Sequence, residues 1–216
     1  MPTESVKNYT TKILLLIVII LSGISLVSCT TDTDDIIDEE TTIVSLSQEE
    51  KDMLIRMREE EKLARDVYDY LYTKYDTLVI FDNISNSEQT HMNQILNLLI
   101  QFNIPDPALP EAGKFSNPVL QDLYDQLTAA GEVSEVEALK IGATIEDLDI
   151  YDLEEYATQT ENVDILTVFA RLTCGSRNHM RGFTSQLNLY NETYTPQFIS
   201  QAEFDAIVES SHESCY

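Results

Sequence analysis

Four stretches of the chain repeat apolar residues at three- and four-residue steps, and each of the four stripes is broken by a carboxylate or an imidazole. Apolar residues at that period line the buried face of an α-helix, so a polar group sharing the face is carried into the packed interior with them. The first stretch, about 46–76, has the stripe Leu54, Met57, Glu61, Ala64, Tyr68 and Leu71. The second, about 84–102, has Phe81 just ahead of it and then Ile84, Glu88, His91, Ile95 and Leu98. The third, about 134–158, has Ala138, Gly142, Ile145, Glu146, Asp149 and Leu153. The fourth, about 162–190, has Phe169, Leu172, Ser176, His179 and Phe183.

The segments between the stripes read as punctuation. Residues 103–118 hold Pro105, Pro107, Pro110, Pro118 and a glycine, the composition of a surface connection. A short helix over about 119–130 follows and stops at Gly131. Ser134 with Glu137, and Ser200 with Glu203, have the spacing of capping boxes, which predicts a helix start at each place. Val79, Ile80 and Phe81 form a short apolar run read as the seat of the turn into the second helix. No stretch alternates apolar and polar residues as a strand does. Four long helices in two close pairs, with a connection of about thirty residues between the second and third, predict an all-α fold. Its expected form is a four-helix bundle with one long crossover connection and short extra helices.

The polar residues on the stripes set the chemistry. An unpaired buried carboxylate costs several kcal/mol, so a group of them facing one another must be protonated or neutralised. Arg65 and Arg177 lie beside the first and fourth stripes but not at their centres. A multivalent cation is the better neutraliser, and carboxylates with imidazoles suit iron or manganese and tolerate zinc. Glu88 and His91 form Glu-x-x-His, nearly one helical turn, so both reach one ion or two adjacent ions. Glu61 and Glu88 are 27 residues apart and Glu146 and Ser176 are 30 apart, offsets that look like two halves of a repeat.

Taken one at a time, the same residues have plainer readings. Glu59, Glu60 and Glu61 form a charge run, ordinarily a solvated face. His91 or His179 alone would be a satisfied core or surface residue. Tyr68 reads first as core packing and second as a redox tyrosine. Cys174 reads as a small buried residue, His212 as exposed, and Glu137 as a cap rather than a ligand.

Glu61, Ala64 and Tyr68 fit a Glu-x-x-Ala-x-x-x-Tyr pattern that resembles the first helix of rubrerythrin-like proteins. The run from Ser87 through Glu88 and His91 to Met92 resembles their second-helix ligand motif. Together with the segments around Glu146 and His179, residues 48–190 resemble a family of bacterial and archaeal ferritin-like proteins known as a domain of unknown function. The resemblance implies a ferritin-like bundle with a dinuclear iron site. Carried over, Glu61 is a first-helix ligand, Glu88 a bridge between two metals, and His91 the cap on one of them. Glu146 is the third-helix ligand and His179 the cap on the second metal. The full pattern has Glu where this chain has Ser176, so one bridging carboxylate is missing. Asp149, one turn after Glu146, is the candidate to replace it. The implied chemistry is of oxidase, peroxidase or ferroxidase type, with manganese or zinc as other occupants. A non-catalytic metal- or partner-binding helical module is the alternative.

The amino terminus reads as an address. Lys7 and Lys12 precede the unbroken apolar run 13–20, and 21–28 stay small and apolar. The run ends in Leu26, Val27, Ser28 and Cys29, which resembles the lipobox of bacterial lipoproteins, cut before a cysteine that is then acylated. Residues 1–28 are expected to be a lipoprotein signal peptide, with Cys29 the lipidation site. A retained transmembrane helix or an unlipidated secretory signal are the alternatives. Residues 29–45, acidic and aperiodic, are expected to be a disordered tether. The bundle is expected over 46–192, and a tail with a short helix over 193–216. The expected location is the bacterial cell envelope, with the membrane met through the lipid anchor alone. Lys and Arg number 13 against 38 Asp and Glu, a net charge of −25, which argues against nucleic acid or an anionic membrane surface as partner. Metal ions and a second copy of the chain remain as expected partners. Three cysteines are too few for a disulfide scaffold; Cys174 and Cys215 are left to pair, and the sequence does not decide whether they do.

Overall fold

Burial of the stripes organises the protein, whose computed structural model describes residues 45–215. Among the described residues the secondary structure is helical without a strand, so the fold is all-α. The helices are α1 (Gln48–Lys74), α2 (Ile80–Gln101), α3 (Pro118–Gly131), α4 (Glu135–Ala157), α5 (Val163–Leu189) and α6 (Gln201–Glu209). The expected signal peptide, Cys29 and the expected tether up to residue 44 lie outside the described residues. Among the described residues no helix is long and apolar enough to cross a membrane.

Helix ends follow local chemistry. Ser47 opens α1 with a complete capping box that the sequence reading did not single out. Its Oγ accepts from the Glu50 N–H at 3.1 Å, and the Glu50 carboxylate accepts from the Ser47 N–H at 2.8 Å. The boxes expected at Ser134 and Ser200 form by half: each serine accepts from the backbone of Glu137 and Glu203, but Glu137 turns to Lys140 instead. The second helix begins at Ile80 rather than at 84, so Ile80 and Phe81 are helical and not the seat of a turn. Packing is the reason, because Phe81 is fully buried against Tyr68 and Phe183.

Three layers stack along the long helices. At one end lies an aliphatic layer with Leu54 from α1, Ile95 from α2, Leu153 from α4 and Phe169 from α5. At the other, Tyr68, Phe81 and Phe183 form an aromatic layer with ring centres 5.4–6.0 Å apart. Gly142 of α4 is required there, since a Cβ on it would lie 2.3 Å from the Phe183 ring. The polar stripe residues fall between the two layers. Following each helix through the layers gives its direction: α1 and α5 run from aliphatic to aromatic, α2 and α4 the reverse. Thus α1 and α2 form one antiparallel pair and α4 and α5 another, each packed closely along its length. Because α2 and α4 point the same way, the connection between them must travel the length of the helices. Helix α3 sits in that connection and packs against α1 and α4.

A buried ion pair fixes the connection, while a buried carboxylate, part-exposed ion pairs and a disulfide fix the tail. Lys62, 1% exposed on α1, donates to Asp66 at 2.5 Å and to the carbonyls of Glu111 and Lys114 at 3.0 and 3.1 Å. It also lies 4.4 Å from the centre of the Phe115 ring. These contacts offset the cost of burying the ammonium and pin the proline-rich segment to α1. After α5, fully buried Asp147 accepts from the Tyr194 hydroxyl and from the backbone of Gln197, Phe198 and Ile199. Glu213 accepts from Arg177 and Arg181, and Cys215 is joined to Cys174 by a disulfide. Cys174 is buried, as expected, but as half of a crosslink.

The disulfide closes a separation of 41 residues, for which chain entropy gives a stabilisation of roughly 4 kcal/mol. Cys215→Ser, or reduction of the native protein, is expected to lower unfolding free energy in denaturant by that order. Superimposable denaturation curves with and without the crosslink would mean that the Glu213 ion pairs hold the tail unaided.

Candidate metal centre

Each long helix delivers one or two polar side chains to the middle layer. Glu61 comes from α1, Glu88 and His91 from α2, Glu146 from α4 and His179 from α5. They form two sets, Glu61–Glu88–His91 and Glu88–Glu146–His179, with one donor atom per residue and all donors in a set within 4.8 Å of one another. Glu88 belongs to both. All five side chains are buried, and Glu61 and Glu88 have no exposure at all. The sequence therefore placed five of its six expected ligands together.

The contacts have the geometry of ligands aimed at common points. His91 Nδ1 lies 3.1 Å from Glu61 Oε2 and 2.8 Å from Glu88 Oε2. His179 Nδ1 lies 2.8 Å from Glu88 Oε1 and 3.3 Å from Glu146 Oε2. Despite that proximity, Glu88 Oε1 is misaligned for a hydrogen bond and has no partner, and Glu61 Oε1 has none either. Ligand atoms held at about 2.1 Å from one ion and at right angles sit about 3.0 Å apart, the spacing seen here. The imidazoles face each other with ring centres 5.5 Å apart. Gly175 makes room for the first ring, since a Cβ there would come within 2.5 Å of His91 Nε2.

Among the described residues no lysine or arginine pairs with this group. Arg58 is engaged by Asp106, Lys62 and Arg65 by Asp66, and Arg177 and Arg181 by Glu213. The cluster must balance its charge with its own protons. Burial would raise Glu88, but the charges of His91 and His179 outweigh it and hold Glu88 below the ordinary carboxylate range. Burial would lower both imidazoles, but Glu88 with Glu61 raises His91 well above its usual value, and Glu88 with Glu146 raises His179 to about 10. Burial pushes Glu61 up to about 8 against the opposing pull of His91, and raises Glu146 as well. The metal-free centre thus leans toward a proton store: the charge of Glu88 draws protons to both imidazoles, and burial shifts Glu61 and Glu146 toward their neutral forms.

The sixth expected ligand stands apart. Asp149 is not in either set, although it is buried and Glu61, Glu88 and Glu146 are the leading charges acting on it. Burial and those like charges push it well above the ordinary range. Its carboxylate accepts from the Ser176 hydroxyl at 3.1 Å, at the place where the full pattern has a glutamate. Tyr68 is both core and neighbour to the centre: it is fully buried and donates to Glu146 Oε1 at 2.5 Å.

The charge run is not a solvated face. Glu59 and Glu60 are 4% and 6% exposed, and Glu60 meets Arg56 at 2.5 Å. Burial, then Glu60, raises Asp152 of α4 to about 8. The sequence reading missed this second acidic group, the contact of Ser87 Oγ with His179 Nε2 at 2.9 Å and the close fit of Gly175 to His91. Arg56 four residues before Glu60, and Asp152 one turn after Asp149, were the available signals. His212 is exposed, as expected, whereas Glu137 is half-buried beside Lys140 and its carboxylate does not cap the helix.

Raised values make the metal-free protein alkali-sensitive. Glu61 contributes stability below its ordinary 4.5 that is lost as pH rises through about 8, and His179 contributes below 6.5 what is lost through about 10. Glu88, depressed, contributes constantly above its ordinary 4.5. The melting temperature of chelator-treated protein is expected to fall from about pH 5 to about pH 10, and a flat profile would contradict the proton store. Gly175→Ala is expected to cost about 1–3 kcal/mol by displacing the His91 ring, measured by denaturant unfolding; unchanged stability would mean that the ring gives way freely.

Comparison with known proteins places the chain in a family without bringing a reaction. A family model described as an uncharacterized protein domain (DUF2202) matches residues 50–211, and the chain belongs to that family. The chain is 56% identical over 169 residues to the uncharacterized protein MJ0754 of Methanocaldococcus jannaschii, covering 78% of this chain and 91% of the relative. The crystal structure of hypothetical protein MJ0754 matches with a TM-score of 0.77 over 78% of this chain and 96% of that chain.

Proposed function

We propose that this DUF2202 protein is an envelope-anchored, ferritin-like metalloprotein that holds two metal ions between its long helices. The observation that carries the reading is the sharing of Glu88 between two buried ligand sets that no lysine or arginine among the described residues reaches. The donors fit the proposed occupant: carboxylates and imidazoles in equal reach suit iron first, with manganese or zinc able to take its place. Glu61 and His91 would hold one ion, Glu146 and His179 the other, with Glu88 in reach of both. Asp149, short of cations and surrounded by carboxylates, supplies the charge that Ser176 lacks. The ferritin-like reading draws support from the direction of the helices, since a bundle with one crossover needs the second and third to run the same way.

Iron bound there would supply one-electron chemistry toward oxygen, peroxide or ferrous iron, the oxidase, peroxidase or ferroxidase class. The protein's own part is narrower. It excludes bulk water with the aliphatic and aromatic layers. Tyr68 donates its hydroxyl proton to Glu146 Oε1, and burial together with the Glu146 charge suppresses its acidity. The raised proton affinities of the two imidazoles and of Glu61 mean that an entering cation would displace protons. Anchoring at the envelope rests on the leader ending in Cys29, and the Cys174–Cys215 disulfide agrees with an oxidising compartment.

Ser176 favours a second reading, a metal-holding module without turnover. The set with Glu146 lacks a fourth-helix carboxylate, and Tyr68 already occupies one Glu146 oxygen.

Metal count by elemental analysis, on full chain purified without a chelating tag, tests both. Two ions per chain are expected, falling in Glu88→Ala and His179→Ala, with the Asp149→Asn variant losing the ion nearer His179. Unchanged metal in both alanine variants would remove the site. Iron whose absorbance responds to peroxide after reduction supports turnover; firmly held zinc without response supports the module.

A further inference from the structure

We propose that Ser87 is a positioning residue for the second ligand set, holding the His179 ring so that Nδ1 faces Glu88 and Glu146. The inference rests on the two-metal reading above and goes beyond it, because Ser87 itself binds nothing.

An imidazole gives a metal one nitrogen and keeps a proton on the other, and the partner of the second nitrogen decides which is which. In His179 both nitrogens are engaged. Nε2 lies 2.9 Å from Ser87 Oγ, within hydrogen-bond distance, and with an ion on Nδ1 the hydroxyl would accept the Nε2 proton. Nδ1 lies 2.8 Å from Glu88 Oε1 and 3.3 Å from Glu146 Oε2. A hydroxyl behind Nε2 therefore reserves Nδ1 for the ion.

His91 makes the contrast. It presents Nδ1 to Glu61 and Glu88 in the same way, but its Nε2 faces the backbone of Gly175 and has no hydrogen-bond partner among the described residues. Shape holds that ring, while a hydrogen bond holds the other. The two imidazoles are alike in what they offer the centre and unlike in what fixes them.

Ser87 can do this because it precedes Glu88. Neighbours on a helix point about 100° apart. Glu88 points into the middle layer while the half-buried Ser87 reaches across to α5. One turn of α2 thus supplies the shared carboxylate and orients the histidine that comes from the opposite pair of helices.

The test is a titration of chelator-treated full chain with Co(II), followed by absorbance and by competition with a chelator of known affinity. Wild type is expected to take two equivalents. Ser87→Ala is expected to keep one at wild-type affinity and to bind the other about 10–100-fold more weakly. Ser87→Thr, which keeps a hydroxyl, is expected to behave as wild type. A hydroxyl present only for packing would weaken both equivalents alike or neither, so a loss confined to one equivalent and restored in Ser87→Thr marks the positioning role. Nitrogen-15 spectra of the zinc-loaded wild type should show His179 protonated at Nε2. Equal affinities for both equivalents in Ser87→Ala, or a zinc-bound His179 protonated at Nδ1, would overturn the role of Ser87 and leave the centre standing. Wild type that takes up no metal would overturn the centre and this inference with it.

Discussion

Glu88 sets the terms for the rest of the protein. Its carboxylate is fully buried, lies within 2.8 Å of an imidazole on either side, and has no lysine or arginine among its described neighbours. A charge so placed survives only if positive charge comes to it. Without a cation, that charge is drawn from His91 and His179, whose proton affinity Glu88 raises, while burial shifts Glu61 toward its neutral form. On the two-metal reading, protons and metal ions would compete for the same atoms. Two oxygens of the centre, Glu61 Oε1 and Glu88 Oε1, are left without a hydrogen-bond partner.

A polar middle layer contributes little to holding helices together, so the layers above and below must do it. Each fully buried leucine, phenylalanine or methionine contributes roughly 1.5–3 kcal/mol. Leu54, Met57, Ile95, Leu99, Phe169 and Leu172 at one end, and Tyr68, Phe81 and Phe183 at the other, are all completely buried. These layers also fix register. Sliding α1 by two turns toward the aromatic end would set Leu54 against the histidines and Glu61 among the aromatic rings. The ligand sets are aligned by apolar packing rather than by any attraction among the ligands themselves.

The helical period made most of this legible. Glu61, Glu88, His91, Glu146 and His179 were found because a residue seven or eight positions from two buried apolar residues must share their face. That rule speaks to one face only. Glu59 and Glu60 were read as solvated because the sequence does not say that α1 is covered on further sides. Glu59 faces the connection near Ser116 and Asp106, and Glu60 faces Asp152 and Tyr156 of α4. Tertiary partners also moved the start of α2, since Phe81 follows the aromatic layer and not the local turn signal. Ser87 was overlooked for a related reason. A small polar residue on the flank of a helix reads as solvent-facing until the neighbouring helix is known.

The loss of a glutamate at Ser176 has a structural counterpart on the far side of α5. Ser176 and His179 face inward, while Cys174, Arg177, Asn178 and Arg181 on the same two turns are bound by the tail. Cys215 crosslinks Cys174, Glu213 bridges Arg177 and Arg181, and Asn178 exchanges two hydrogen bonds with the Glu213 backbone. On the two-metal reading, α5 would give the centre His179 alone, so it would gain less from an ion and have more need of a fixed position beforehand. The tail supplies that position through the fold. The Ser176 hydroxyl meets Asp149, so the carboxylate at this level comes from α4 and not from α5. On the same reading, ligation, orientation and charge, which one glutamate would combine, would be divided among a histidine, two serines and an aspartate. Such a division would keep the half of the centre nearer His179 in shape before any ion arrives, because each part is held by protein contacts.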